Sequence, residues 1–209
     1  MNGASWKPLR VLEEFVSVQG TGHLVGQPQY FVRLAGCSVM SCPIRQECDE
    51  PDALSRHSGQ SEDAEQIALR AVREMGKGGW LHITGGEPFD QKEAVAQLGI
   101  VARRMGLRVH YQTSGTRDVG VPYDWLTVSP KVAPGDLKVT TGSELVLLDT
   151  EVTVEEIRSM YRMTRFLHYF LQPVYGRDRR ATVDKLLLAA RCGLPWKFTD
   201  QMHKTWEVR

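Results

Sequence analysis

The chain has 209 residues, with 42% hydrophobic and 24% charged residues and a net charge of +1. Those values fit one soluble domain, residues 1–209, with a sizeable core, and exclude the basic footprint of a nucleic-acid or anionic-membrane binder. No apolar run is long enough for a spanning helix, and the polar start, Met1 to Arg10, has no signal-peptide core, so a cytoplasmic protein is expected.

Val11 to Val18 reads as an extended segment. Gln19-Gly20-Thr21-Gly22-His23-Leu24-Val25-Gly26 follows as a glycine-rich loop, read first as a hairpin turn, with Gln19, Thr21 and His23 as candidate polar contacts. Tyr30 to Leu34 reads as a strand, and three of the four cysteines, Cys37, Cys42 and Cys48, follow its end. Cytoplasmic cysteines clustered in a strand-end loop are more often metal ligands than disulfides or ordinary buried thiols. The spacing matches no zinc signature, so two metals stay open: zinc with His57 as a fourth ligand, or an iron–sulfur cluster.

Asp49 to Gln60 reads as a loop, and Ser61 as the N-cap of a helix with Ile67, Ala71, Val72 and Met75 at helical spacing. Trp80 to Thr84 is a strand, Gly85-Gly86-Glu87-Pro88 the loop after it, and Asp90 the cap of a helix to about Met105. Leu107 to Gln112 is the next strand, closed by Thr113-Ser114-Gly115-Thr116. Trp125 to Val128 is a strand before Ser129-Pro130-Lys131, Val132 to Gly142 a loop, and Leu145 to Leu148 a strand. Thr153 with Glu156 forms a capping box for a helix to about Arg162. Phe166 to Leu171, a helix from Thr182 to Cys192, and a last strand from Trp196 to Thr199 complete the alternation.

Strands alternating with helices predict an α/β fold with a mostly parallel sheet. About six or seven strands fall short of a closed eight-stranded barrel, which predicts a single-domain, partial (open) β/α barrel. In such a sheet the Cys loop, Gly85 to Pro88, Thr113 to Gly115, Ser129 to Lys131 and Gln172-Pro173 gather at one mouth. That mouth suits a cofactor with an amino group and a carboxylate, Glu87 or nearby carbonyls taking the ammonium and Lys131 the carboxylate. For His82 and His110, on predicted strands, a structural role is expected.

The three-cysteine loop together with Thr84-Gly85-Gly86-Glu87-Pro88 resembles the radical S-adenosylmethionine superfamily. Ser17-Val18-Gln19-Gly20, Phe31 to Cys37, Cys48-Asp49, Gln112 to Thr116, Val128 to Lys131, Leu171-Gln172-Pro173 and Gln201-Met202-His203-Lys204 resemble, in order and over nearly the whole chain, the 7-carboxy-7-deazaguanine synthase family. The resemblance implies conversion of 6-carboxy-5,6,7,8-tetrahydropterin to 7-carboxy-7-deazaguanine with loss of ammonia, a carbon–nitrogen lyase reaction that leads to queuosine-type deazapurines. It implies a [4Fe–4S] cluster on Cys37, Cys42 and Cys48, and S-adenosylmethionine held by Gly86, Glu87, Ser129, Pro130, Lys131, Gln172, Pro173, Val174 and Tyr175, with Ser114 assisting. It implies a pterin held by Val18, Gln19, Gly20, Arg33, Thr84 and His203, with the terminal carboxylate of Arg209 as a further acceptor. Arg33 fits the substrate carboxylate by bidentate pairing. An electron donor such as flavodoxin or ferredoxin is implied, and members of the family are often homodimers, although the sequence carries no interface signal.

Three positions depart from the family pattern. The cysteine loop is longer, with four and five intervening residues in place of three and two; Thr21 replaces a glutamate; and Glu50 replaces a threonine whose hydroxyl meets Mg²⁺. A carboxylate is itself a good hard ligand for Mg²⁺, so Glu50 is the candidate magnesium residue. Two competing readings are a radical S-adenosylmethionine activase acting on a protein partner and a non-catalytic zinc-binding module.

Overall fold

A computed structural model describes residues 7–209; residues 1–6, and with them most of the polar N-terminal segment, lie outside the described residues. Among the described residues nine strands form one open sheet in the order β3-β1-β2-β4-β5-β6-β7-β8-β9. Strands β1 (Leu9–Val18) and β2 (Pro28–Leu34) form an antiparallel hairpin, and the short β3 (Gln60–Glu62) pairs antiparallel with the start of β1. From β2 onward every pairing is parallel, through β4 (Trp80–Gly85), β5 (Arg108–Thr113), β6 (Trp125–Val128), β7 (Thr141–Asp149), β8 (Arg165–Pro173) and β9 (Trp196–Phe198). The sheet is α/β and mostly parallel, and it does not close into a barrel, as expected; the strand that the sequence reading lacks is the three-residue β3.

The crossover helices are α1 (Ala64–Met75), α2 (Lys92–Arg104), α3 (Val154–Met163) and α4 (Arg179–Arg191), with a single turn α5 (Met202–Thr205) after β9. Their apolar faces pack against one side of the sheet. Ile67, Ala71, Leu98 and Ile157 are fully buried there against Leu81, Ile83, Val109 and Leu126. Each large aliphatic side chain so removed from water contributes about 2 kcal/mol. Tyr111 reaches across β5 to α2, where only a glycine fits: a Cβ on Gly99 would lie 2.0 Å from the tyrosine oxygen.

Several boundaries differ from the sequence reading for identifiable reasons. Ser61 is in β3, not at a helix cap, because Gln60–Glu62 pairs with Leu9–Val11; Asp63 caps α1 instead, accepting from the amides of Glu65 and Gln66. Asp90 does not cap α2. It lies in a 3₁₀ turn, Pro88–Gln91, and its carboxylate accepts from Ser38 and Arg117. Helix α4 starts three residues early because Asp178 caps it, and β7 begins at Thr141, inside the segment read as loop. The capping box of Thr153 and Glu156 is present as expected.

Candidate functional site

The parallel strands deliver their C-terminal ends to one mouth, and two adjoining cavities open there, of about 140 and 240 Å³. The smaller is lined by the three free, half-buried thiols Cys37, Cys42 and Cys48. Burial pushes the Cys37 thiol above its ordinary value. The loop that carries these cysteines is fixed at its root by backbone contacts that need glycine. The amide of Gly86 donates to the Leu34 carbonyl at 3.0 Å, and the amide of Glu87 to that of Gly36 at 2.9 Å. A Cβ on Gly86 would lie 2.1 Å from the Gly36 oxygen, and one on Gly85 would lie 2.2 Å from the Leu34 oxygen. Asp90, Ser38 and Arg117 tie down the next stretch, and Arg45 donates to the carbonyls of Cys37 and Val39.

Lys131 lies beside the thiols. Its Nζ donates to the hydroxyl of Ser129 at 2.6 Å. Burial pulls the Lys131 ammonium below its ordinary value, and Cys42, Cys48, Glu87 and Cys37 oppose that shift. Among the described residues no three His, Cys, Asp or Glu side chains converge on a point that would hold a single ion, and His57 is exposed and outside the cavity. Three thiols spread around one hollow, with a cation and backbone polar groups beside them, fit a multi-iron cluster in which each thiolate takes a different iron. They do not fit the single-ion zinc site with His57.

The larger cavity shares Cys48, Glu50, Thr84, Gln112, Ser129 and Lys131 with the smaller. Its far wall is Val18, Gln19, Gly20 and Thr21 from the β1–β2 hairpin, with Gln172, His203 and Arg209 from the C-terminal part of the chain. The hairpin is closed as a turn by Gln19 and Gly26, and it also folds across the open face: the Gly22 amide donates to Thr199 and the His23 amide to Glu144. Gly20 lets α5 dock. The Met202 amide donates to the Gly20 carbonyl at 2.9 Å, and a Cβ on Gly20 would lie 1.9 Å from His203 Nδ1. Burial lowers the His203 imidazole below its ordinary value, with Lys204 adding to the shift.

Arg33 lies on the cavity wall between two carboxylates. Its Nε is 2.8 Å from Glu13 and its Nη1 2.7 Å from Glu50. Asp49, next to the last cysteine, accepts from Gln201 and Lys204 at 2.7 Å each, which joins the cysteine loop to α5.

Not every sequence-derived candidate reaches the cavities. Glu87 is fully buried behind the smaller one. Its carboxylate accepts from the amides of Phe89 and Ser114 and the hydroxyls of Thr113 and Ser114, so no lone pair faces the hollow for an ammonium. Ser114 does line the hollow. Pro130 lies on a neighbouring hollow with Ser41 and Pro43 that shares Lys131. Pro173 and Val174 are buried at the end of β8, outside both cavities, and Tyr175 is exposed with Lys204 Nζ 3.9 Å over its ring. The Gln19 side chain turns onto its own loop, donating to the Thr21 carbonyl, and His23 stacks outside on His168 at 4.1 Å. His110 is buried and hydrogen-bonded to Gln29 and Thr127, the structural role expected. His82 is also fully buried, stacked 3.8 Å from His110 on the floor of the larger cavity, but neither ring nitrogen has a protein partner.

Sequence reasoning missed Gln112 as a wall of both cavities, Glu13 as the partner of Arg33, and the Asp49–Gln201–Lys204 link. Gln112 and Asp49 stood inside motifs that were noted. Glu13 carried no signal, because its role comes from being opposite Arg33 in the hairpin register.

No protein-family model matches the chain. The 7-carboxy-7-deazaguanine synthase of Methanospirillum hungatei is 30% identical over 94% of this chain and 84% of its own length. The synthase of Caulobacter vibrioides is 30% identical over 93% of this chain and 96% of its own. Among solved structures, QueE from Escherichia coli superposes with a TM-score of 0.67 at 23% identity, covering 93% of this chain and 94% of that one, a likeness of fold. With sequence similarity running the length of the open sheet and both cavities, this chain belongs to the 7-carboxy-7-deazaguanine synthase family.

Proposed function

We infer that this chain is a radical S-adenosylmethionine lyase that converts 6-carboxy-5,6,7,8-tetrahydropterin to 7-carboxy-7-deazaguanine with loss of ammonia, in deazapurine biosynthesis. The observation that carries the reading is the adjoining pair of cavities, one lined by three free thiols and the other by Arg33 and His203. The names of the relatives support it. The cluster and S-adenosylmethionine supply, when bound, the one-electron chemistry.

The chain's own residues do the rest. Cys37, Cys42 and Cys48 would hold the cluster. Gly86, Ser114, Ser129 and Lys131 hold S-adenosylmethionine, the Lys131 ammonium matching its carboxylate. Gln172 contacts it from β8, and Pro130, Pro173, Val174 and Tyr175 shape that side from behind. Glu87 is a positioning residue, since it locks the strand-end loops of β4 and β5 to each other. Arg33 anchors the pterin carboxylate, and Val18 to Gly20, Thr84 and His203 hold the ring, with Arg209 beside it. Water exclusion falls to the hairpin and α5, which close over the larger cavity. Glu50 offers a hard oxygen to Mg²⁺. A low-potential carrier such as flavodoxin or ferredoxin donates the electron, and the setting is a cytoplasmic one-domain enzyme. Among the described residues no helix is long and apolar enough to cross a membrane.

The test is anaerobic reconstitution with iron and sulfide, then incubation with reductant, S-adenosylmethionine, Mg²⁺ and the carboxytetrahydropterin. Mass spectrometry should find the deazaguanine acid, and a Cys42→Ala variant should not form it. Cofactor cleavage with the pterin untouched would refute the substrate, and zinc binding in place of iron would refute the chemistry. Loss of magnesium dependence in Glu50→Gln tests the metal assignment, and activity equally independent of magnesium in both proteins would remove it.

A further inference from the structure

Arg33 is one of four cations on the wall of the larger cavity, with Lys131, Lys204 and Arg209, and its two carboxylate partners are not equivalent. Glu13 faces it across the β1–β2 hairpin, in register, so its position is set by the sheet. Glu50 comes from the loop after Cys48, and its side chain is 40% exposed while that of Arg33 is 15% exposed. Phe15 lies beneath the guanidinium, 5.6 Å from ring centre to Cζ, and fixes its plane. Glu13 holds Nε and Glu50 holds Nη1, so both of these nitrogens are already engaged by carboxylates. A carboxylate arriving at Nη1 therefore meets a nitrogen that Glu50 already holds, while Glu13 is shared between Arg33 and Arg209.

We propose that Glu50 is a specificity-determining residue, an internal competitor that occupies Arg33 until a substrate carboxylate displaces it. The proposal rests on the reading above that Arg33 takes a carboxylated pterin. Exchanging one carboxylate for another on the same fork gains little, so Glu50 lowers affinity for the anionic ligand without altering contacts to the ring. It also keeps the guanidinium oriented while the site is free of substrate. Glu13, fixed by the strand register, stays in place and holds Arg33 during the exchange.

The experiment is anaerobic equilibrium binding to the cluster-loaded protein in magnesium-free buffer, with two probes: the 6-carboxytetrahydropterin and the same pterin without the carboxylate. Glu50→Gln should tighten binding of the carboxylated probe about tenfold, the effect of no longer breaking a pair worth about 1.4 kcal/mol. Affinity for the uncarboxylated probe should stay within a factor of about two, which a general loosening of the loop would not spare. In an Arg33→Gln background the gain should vanish, since the two residues act through one contact. Unchanged or weaker binding of the carboxylated probe in Glu50→Gln overturns the proposal, as does an equal gain for both probes. Failure of the wild-type protein to bind either pterin would overturn the substrate reading and this inference with it.

Discussion

Glu87→Gln tests whether the carboxylate that looks like a ligand-binding group is instead a structural clasp. The side chain is fully buried. One oxygen accepts from the Phe89 amide at 3.0 Å and the Thr113 hydroxyl at 2.7 Å; the other accepts from the Ser114 amide at 2.9 Å and the Ser114 hydroxyl. A glutamine keeps one oxygen and presents an amide NH₂ at the other position. The Ser114 hydroxyl can turn to accept from it, but the Ser114 amide then faces a donor. One buried N–H left without an acceptor costs about 1–3 kcal/mol, and the other bonds lose their charge assistance. Relief of the carboxylate's desolvation offsets part of this. A net loss of about 3 kcal/mol, at about 3 °C per kcal/mol for a chain of this size, lowers Tm by about 9 °C. Thermal melts of the cluster-free protein followed by circular dichroism measure it. A drop below about 2 °C would show that the four contacts do not act as a clasp, and the role of Glu87 as an ammonium ligand would return.

Three further outcomes follow from the same geometry. Gly86→Ala pushes a methyl into the Gly36 carbonyl, so the root of the cysteine loop must shift; iron and sulfide content after reconstitution should fall at least about tenfold, and full loading would refute the fit. Gly20→Ala drives into His203 and should raise KM for the pterin by about tenfold or more, with cluster content unchanged; an unaltered KM would show that α5 moves freely. Burial lowers His82 well below its ordinary range and His110 to about 3. The unfolded chain therefore binds more protons than the folded one below about pH 6.5, so stability is greatest above that pH and is lost as pH falls. His110 alone gives a slope of about 1.4 kcal/mol per pH unit between about pH 6 and pH 4, and His82 adds to it in the same direction. His82→Phe, which keeps the ring stack, should lower that slope in urea titrations; an unchanged slope would mean that His82 does not stay neutral in the fold.

How far the sequence reaches is clearest in the cysteine loop and the strand-end loops. Local patterns (alternating branched residues, glycine stops, the Thr153 capping box) place most elements, and alternation of strand and helix implies one mouth at the strand ends. That alone brings Cys37, Cys42, Cys48, Gly86, Ser114, Ser129 and Lys131 together. The errors fall where a local signal competes with a distant partner. Ser61 has cap chemistry, but backbone pairing with Leu9–Val11 satisfies its neighbours in an extended form, and Asp90 is drawn from the α2 cap by Ser38 and Arg117.

By itself, then, the sequence determined the α/β class, the thiol cluster and the mouth on which it lies, because those follow from periodicity and from chain order along a parallel sheet. Tertiary structure alone decided which polar groups are free to act. Glu87 is consumed by four donors from loops close in space and 26–27 residues apart in sequence at its furthest contacts, and Arg33 is held by carboxylates 20 residues before it and in the loop beyond Cys48. The far wall, where Gly20 meets His203, joins the two ends of the chain. Hydrogen-bond saturation and charge pairing depend on distances that no local pattern encodes, and those distances separate a group that binds a ligand from one that holds the fold.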